Sequence, residues 1–341
     1  MKRFAIAALV GIAAASTASG ANAGAVFDAI KARGHIVCGV NQGLPGFGNP
    51  DSKGLWTGFD IDLCRALAAA VFADPEKVKF TVTTGQSRFP ALQSGEVDVL
   101  ARNTTQTLLR DAQLGLHMAG VNYYDGQGFM VGKKLGVTSA KQLNGATVCV
   151  APGTTTELNL ADYFRANNMQ FKPVVIEKID EVTNAFFNGR CDVYTTDASG
   201  LASTRMQMAQ KPDDWVILPE RISKEPLGPM VRKGDDQWFA VVRWTLDAMI
   251  EAEELGITQK NLDEKLKSTD PAIQRVLGVA PAGFGKALGL DEKWVYNIIK
   301  AVGNYGESFE RNLGKDTPMK LERGLNDLWT RGGLMYALPL R

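Results

Sequence analysis

The chain has 341 residues, 45% of them apolar and 22% charged, with a formal net charge of +1. That length exceeds the roughly 100–200 residues typical of one domain, so two units are expected. The near-neutral balance, with no basic run and no alternation of basic and aromatic residues, gives no footing for nucleic-acid binding.

The first 24 residues, MKRFAIAALVGIAAASTASGANAG, combine Lys2 and Arg3, an apolar run from Phe4 to about Ala15, and the small residues Ala21 and Ala23 around Asn22. This is the pattern of a cleaved secretory leader over residues 1–23, with the cut expected before Gly24. The apolar run is well short of the roughly 20 residues that a membrane span needs. Loss of Lys2 and Arg3 takes the basic count from 38 to 36, against 37 acidic residues. The mature protein is expected to be soluble and outside the cytoplasm. In such an oxidising compartment Cys38, Cys64, Cys149 and Cys191 are expected to form disulfides, and the sequence alone allows three pairings. Their spacings match no zinc site, and the only histidines are His35 and His117. No metal or cofactor is expected.

HIVCGV reads as a first strand, running into the loop NQGLPGFGNPDSKGLW. GFDIDLCRALAAAVFA follows with Ile61, Leu63, Leu67, Ala70 and Val71 mainly at helical spacing, and with Asp60 and Asp62 near its start, where acidic residues suit the helix dipole. VKFTVTT reads as a strand, RFPALQSG as a short helix ended by Gly95, and EVDVLA as another strand. The next stretch, ARNTTQTLLR from Ala101 to Arg110, puts hydroxyl and amide side chains where a strand gives way to a helix. A junction of that kind suits a small polar anion. Alternating strands and helices give an α/β class.

The second half repeats this grammar. Shifted by 94 positions, ALQSGEVDVLARNTT lies over AFFNGRCDVYTTDAS, which sets Asn103 opposite Asp197. HIVCGVNQGLPG and ATVCVAPGTTTE also run alike, from strand through cysteine to a Gly/Pro loop. Two similar lobes follow from this, each with polar residues at the carboxyl end of a strand, where open α/β sheets bind ligands. Residues 24–133 form the first lobe, 134–226 an inserted second lobe, and 227–341 a return to the first lobe followed by a helical C-terminal region. YYDGQGFMVGKK and EPLGPMVRKGD are the expected crossings. The tryptophans and tyrosines of the last region are assigned to its core.

Taken in order, GFDIDLCRALAAAV, RFPALQSGEVDVLARNTTQTLLR, GATVCVAPGTTTELNL and GRCDVYTTDASGL resemble the periplasmic solute-binding proteins that serve polar amino-acid ABC transporters. The Thr-rich junction and the terminal ERGLNDLWTRGGLMYALPLR are most similar to the general L-amino-acid-binding branch. The resemblance implies a two-lobed type II periplasmic binding protein with hinge crossings. It further implies a monomeric carrier that closes on an L-amino acid, glutamate, aspartate and their amides included, and delivers it to inner-membrane ABC permease subunits. By the same resemblance Arg110 takes the α-carboxylate with Thr105, and Asn103 stands beside them. Thr154, Thr155 and Thr156 complete the anion site with their backbone N–H groups and hydroxyls, while Asp197 receives the α-ammonium. Arg88 matches a position that in glutamate/aspartate binders faces the side-chain carboxylate, and Arg102 is a further pocket candidate. Asn41 stands where such binders carry another basic residue, and Gly85 where some relatives carry an aromatic ring, which together imply a roomier pocket. Two lobes that move about a hinge favour crosslinks within each lobe, Cys38 with Cys64 and Cys149 with Cys191. The alternatives are an enzyme on the same scaffold, of the cyclic-acid dehydratase type, and a free-standing amino-acid sensor. No catalytic constellation speaks for the first, since neither histidine falls in a motif.

Overall fold

The computed structural model describes residues 24–280 and 283–341. The leader expected over residues 1–23 lies outside them. Two five-stranded sheets share one plan. In the first the order is Val78–Val82, Ile36–Val40, Val99–Leu100, Met230–Arg232, Leu116–Met118. In the second it is Lys172–Val175, Thr147–Val150, Val193–Asp197, Gln127–Gly132, Trp215–Ile217. In each, three parallel strands meet an antiparallel fourth. The repeat read at an offset of 94 therefore corresponds to the third strand of each sheet.

The chain crosses between the sheets twice, and the crossings pair with each other: Tyr123–Asp125 runs antiparallel to Glu225–Leu227. Gln127–Gly132 already hydrogen-bonds within the second sheet, against Val193–Asp197. The first crossing thus lies about Tyr123–Asp125, within YYDGQGFMVGKK, and Gln127–Gly132, counted with the first lobe in the sequence, pairs in the second sheet. The alternating run after the crossing carries no mark of which sheet it joins, because its partner is some 65 residues away in sequence.

Helix Phe59–Phe72 buries Ile61, Leu63 and Leu67 as its spacing predicts. It packs with the late helices Asp236–Glu254, Trp294–Val302 and Tyr305–Asn312 into one core that holds Trp238, Ile298, Tyr305 and Phe309. Trp238, Trp294 and Tyr305 are core residues as expected, whereas Trp329 and Tyr336 stand about half exposed. Asp62 does more than complement a helix dipole. Ser308 Oγ, Arg311 Nη2 and Asn312 Nδ2 all donate to its Oδ2, at 2.7, 2.5 and 2.7 Å, which fixes the C-terminal region to the first lobe. Asp60, buried beside Asn122, is pushed up to about 6 by desolvation. Among the described residues no helix is long and apolar enough to cross a membrane, and no group of three or more His, Cys, Asp or Glu is placed to hold a metal ion.

The disulfides are Cys38–Cys64, joining the first strand to the helix after it, and Cys149–Cys191 inside the second lobe. Cα separations of 6.3 and 5.6 Å lie within the range such bonds require. Neither bond spans the hinge.

Candidate ligand-binding cleft

Between the lobes lies a cleft of roughly 580 Å³, counted to its mouth. It is lined from the first lobe by Asn41, Gln42, Gly85, Arg88, Arg102, Asn103 and Thr105. Thr154, Thr155, Thr156, Glu177, Ile179, Thr196 and Asp197 line it from the second. Eight of the nine residues expected to bind ligand therefore share one cavity. Arg110 stands just behind it, 8% exposed and hydrogen-bonded through Nη1 to Thr105 O at 2.7 Å.

Two strand ends meet across the cleft. Asn41 Nδ2 donates to Asn103 Oδ1 at 2.7 Å, and Asn103 Nδ2 donates to Asp197 Oδ2 at 3.1 Å. Asn103 and Asp197, equivalent in the internal repeat, are thus direct partners. Gln42 adds a second link by accepting from Ile179 N at 3.2 Å. Burial raises the Asp197 carboxyl well above the usual range, and the carboxylates of Asp125 and Glu225 push it the same way. A cation delivered beside Asp197 would remove that penalty by restoring a charge partner.

Three buried arginines face this acidic side. The guanidinium carbons of Arg88 and Arg110 lie 4.7 and 4.9 Å from the centre of the Phe89 ring, and burial lowers the proton affinity of both. Arg88 makes only long hydrogen bonds, to Asn103 O, Thr104 Oγ1 and Gly153 O at 3.4–3.5 Å, and its Nε is buried without a partner. Arg102 is better held, with Nη1 on Thr83 O and Thr84 O at 2.8 and 2.6 Å. None of the three has a carboxylate within ion-pair distance among the described residues. Buried guanidinium groups held only by carbonyls, hydroxyls and an aromatic ring are a receptor for an anion.

Two of the threonine hydroxyls are engaged within the protein. Thr154 Oγ1 donates to Ala151 O at 2.8 Å and caps the helix Thr155–Ala166 by accepting from Glu157 N. Thr155 Oγ1 donates to Glu225 Oε2 at 2.9 Å. While those protons are so committed, these two hydroxyls do not donate to an anion. What remains for one is the first-turn backbone N–H groups, which have no intrahelical acceptor.

Gly85 also needs a new account. A β-carbon there would lie 2.6 Å from Pro152 O and 3.2 Å from Thr154 Cγ2. The space beside it is filled by the opposite lobe, so this glycine permits close approach and does not enlarge the pocket. Gly85→Ala is expected to weaken all ligands by about 1–3 kcal/mol, the usual cost of overpacking. Calorimetry measures the loss, and an unchanged melting temperature of the ligand-free protein would place it in closure.

The family model of bacterial extracellular solute-binding proteins, family 3, matches residues 36–262. The chain belongs to that family. It is 56% identical, over the whole of both chains, to the general L-amino acid-binding periplasmic protein AapJ of Rhizobium johnstonii. It is 55% identical to the glutamate/glutamine/aspartate/asparagine-binding protein BztA of Rhodobacter capsulatus, over 97% of each chain. A solved ABC transporter periplasmic binding protein from Brucella ovis, with glutathione bound, superposes with a TM-score of 0.90 at 58% identity, covering 93% of this chain and 99% of that one. This family 3 protein thus shares its helical C-terminal region, which lies beyond the family match, with its full-length relatives. Sequence reasoning missed Gln42, Phe89, Glu177, Thr196 and Glu225. For Phe89 a signal existed, since it adjoins Arg88 in RFPALQ.

Proposed function

We propose that this protein captures L-amino acids broadly in the interlobe cleft, outside the cytoplasm, and delivers them to the membrane subunits of an ABC uptake system. The observation that carries this is the meeting of opposite charges in one buried place: Asp197 on one side, Arg88, Arg102 and Arg110 on the other. A zwitterion drawn from water needs both, together with hydrogen bonds to each charge. Arg110 and the first-turn N–H groups of Thr155 and Thr156 take the α-carboxylate, and Asp197 with Asn103 takes the α-ammonium. Arg88, under-satisfied and next to Phe89, reads the distal end. The relatives' names support the amino-acid class, and the leader supports export.

A calorimetric screen of the twenty L-amino acids against purified protein tests this. Binding of several, with glutamate, aspartate, glutamine and asparagine among them, is the expected outcome. Silence toward all twenty would end the reading. Arg88→Ala is expected to penalise glutamate and aspartate by about 1.5–3 kcal/mol, as for a hydrogen bond to a charged group. Alanine and glutamine should lose less, and equal losses across the panel would remove Arg88 as a selector.

A second reading is favoured by the Brucella relative, whose ligand is glutathione. Its γ-glutamyl end carries a free α-ammonium and α-carboxylate, so the same clamp can hold it. Glutathione belongs in the same screen. The enzyme alternative has little support: His117 lies 3.5 Å from Asp111, outside the cleft lining, and the relatives named are binding proteins.

A further inference from the structure

Glu225 lies outside the cleft lining, is 1% exposed, and has no part in the capture scheme above. It stands where the second crossing changes lobes. Before it, Ile222 N donates to Gln127 O and Ser223 Oγ accepts from Gln127 N, both in the second lobe. After it, Gln106 N donates to Pro226 O and Gly228 N to Thr104 O, in the first. Four side chains donate to its carboxylate. Thr105 Oγ1 and Thr155 Oγ1 reach Oε2 at 2.5 and 2.9 Å, while Asn159 Nδ2 and Ser223 Oγ reach Oε1 at 2.8 and 2.6 Å. One of these donors belongs to the first lobe, two to the second and one to the crossing.

We propose that Glu225 is a positioning residue for closure, a buried acceptor through which Thr105 of the first lobe and Thr155 and Asn159 of the second are drawn together around the ligand's carboxylate. The proposal rests on the amino-acid reading of the cleft. Two carboxylate oxygens offer about four lone-pair sites, and the four donors fill them. A saturated carboxylate can stand near a bound anion without presenting a free lone pair to it. It also supplies the larger of the two carboxylate fields that favour the charged form of Arg110, the other coming from Asp197. The full set of four bonds exists only while the lobes are together, since its members come from both sides of the hinge. Their loss therefore speeds opening and leaves the first encounter with ligand unchanged.

Glu225→Gln keeps the volume and replaces one acceptor oxygen by an NH₂ group that cannot accept. Stopped-flow binding of glutamate, glutamine, alanine and glutathione should show dissociation faster by about tenfold for each ligand that the unaltered protein binds, with association within about twofold. Thr155→Val removes a donor to the same acceptor from the second lobe and should shift dissociation the same way. The double variant should then be weakened less than the product of the two single effects. Should Glu225→Gln not fold, Asn159→Ala with Thr155→Val carries the same comparison. Slower association with unchanged dissociation, a loss confined to one ligand, or strict additivity would overturn the proposal. Binding by the unaltered protein with no change in any variant refutes the latch alone. Failure of the unaltered protein to bind any member of the panel refutes the latch and the amino-acid reading together.

Discussion

Arg110→Ala is expected to weaken every amino-acid ligand by about 2–5 kcal/mol, the range for removing one partner of a buried charge pair. The loss should be uniform because the α-carboxylate is common to all amino acids. In the protein Arg110 spends one hydrogen bond on Thr105 O and rests against Phe89, so the rest of its guanidinium fork is available. Arg110→Lys should recover little, since an ammonium cannot reproduce the planar pair of donors. Calorimetric titration with glutamate, alanine and glutamine decides the matter. Retained affinity for most of them would show that the carboxylate is held elsewhere, with Arg102 the next cation to test.

Asp197→Asn should cost a comparable amount, about 2–5 kcal/mol, by leaving a buried ammonium without its counter-charge. It should also change the pH dependence of closure. On the two-lobe reading, closing buries Asp197 and raises its carboxyl, and the closed ligand-free form then binds a proton more tightly than the open form. Ligand-free closure is therefore favoured as pH falls and opposed as pH rises above the ordinary carboxylate range near about 4. A ligand ammonium supplies the missing charge and abolishes that opposition. Distances between spin labels on the two lobes, measured without ligand from acid to neutral pH, should show the closed fraction falling as pH rises. In Asp197→Asn the closed fraction should be larger at neutral pH and nearly independent of it. A pH response that survives the substitution would shift the effect to Asp125, whose carboxyl burial also raises.

Most of the architecture was legible because it rests on local pattern. The strands around Cys38 and Val99, the helix from Phe59 and the late helices each announce themselves by period and by a terminating glycine or a capping residue. The cleft lining was legible where one short motif holds several of its members, as at Asn103 and Thr105 and from Thr154 to Thr156. What escaped depends on contacts between residues far apart in sequence. Glu225 meets Thr105 across 120 positions and Thr155 across 70, and nothing in EPLGPMV marks its glutamate as buried. Gly85 was misread because an absent side chain looks like free space until the opposing Pro152 carbonyl is known. The internal bonds of the Thr154 and Thr155 hydroxyls were not legible, because a sequence cannot say where a hydroxyl spends its proton.

Both disulfides join cysteines that follow one another along the chain, 38 with 64 and then 149 with 191. A polypeptide threaded from its N-terminus into an oxidising space presents Cys64 to Cys38 well before Cys149 emerges. Cys191 in turn arrives to find Cys149 the only thiol left. Oxidation in order of arrival therefore produces the native bonds, and thiol–disulfide exchange has no mispaired bond to undo. The first sheet, by contrast, closes only once Met230–Arg232 has been delivered after the whole second lobe.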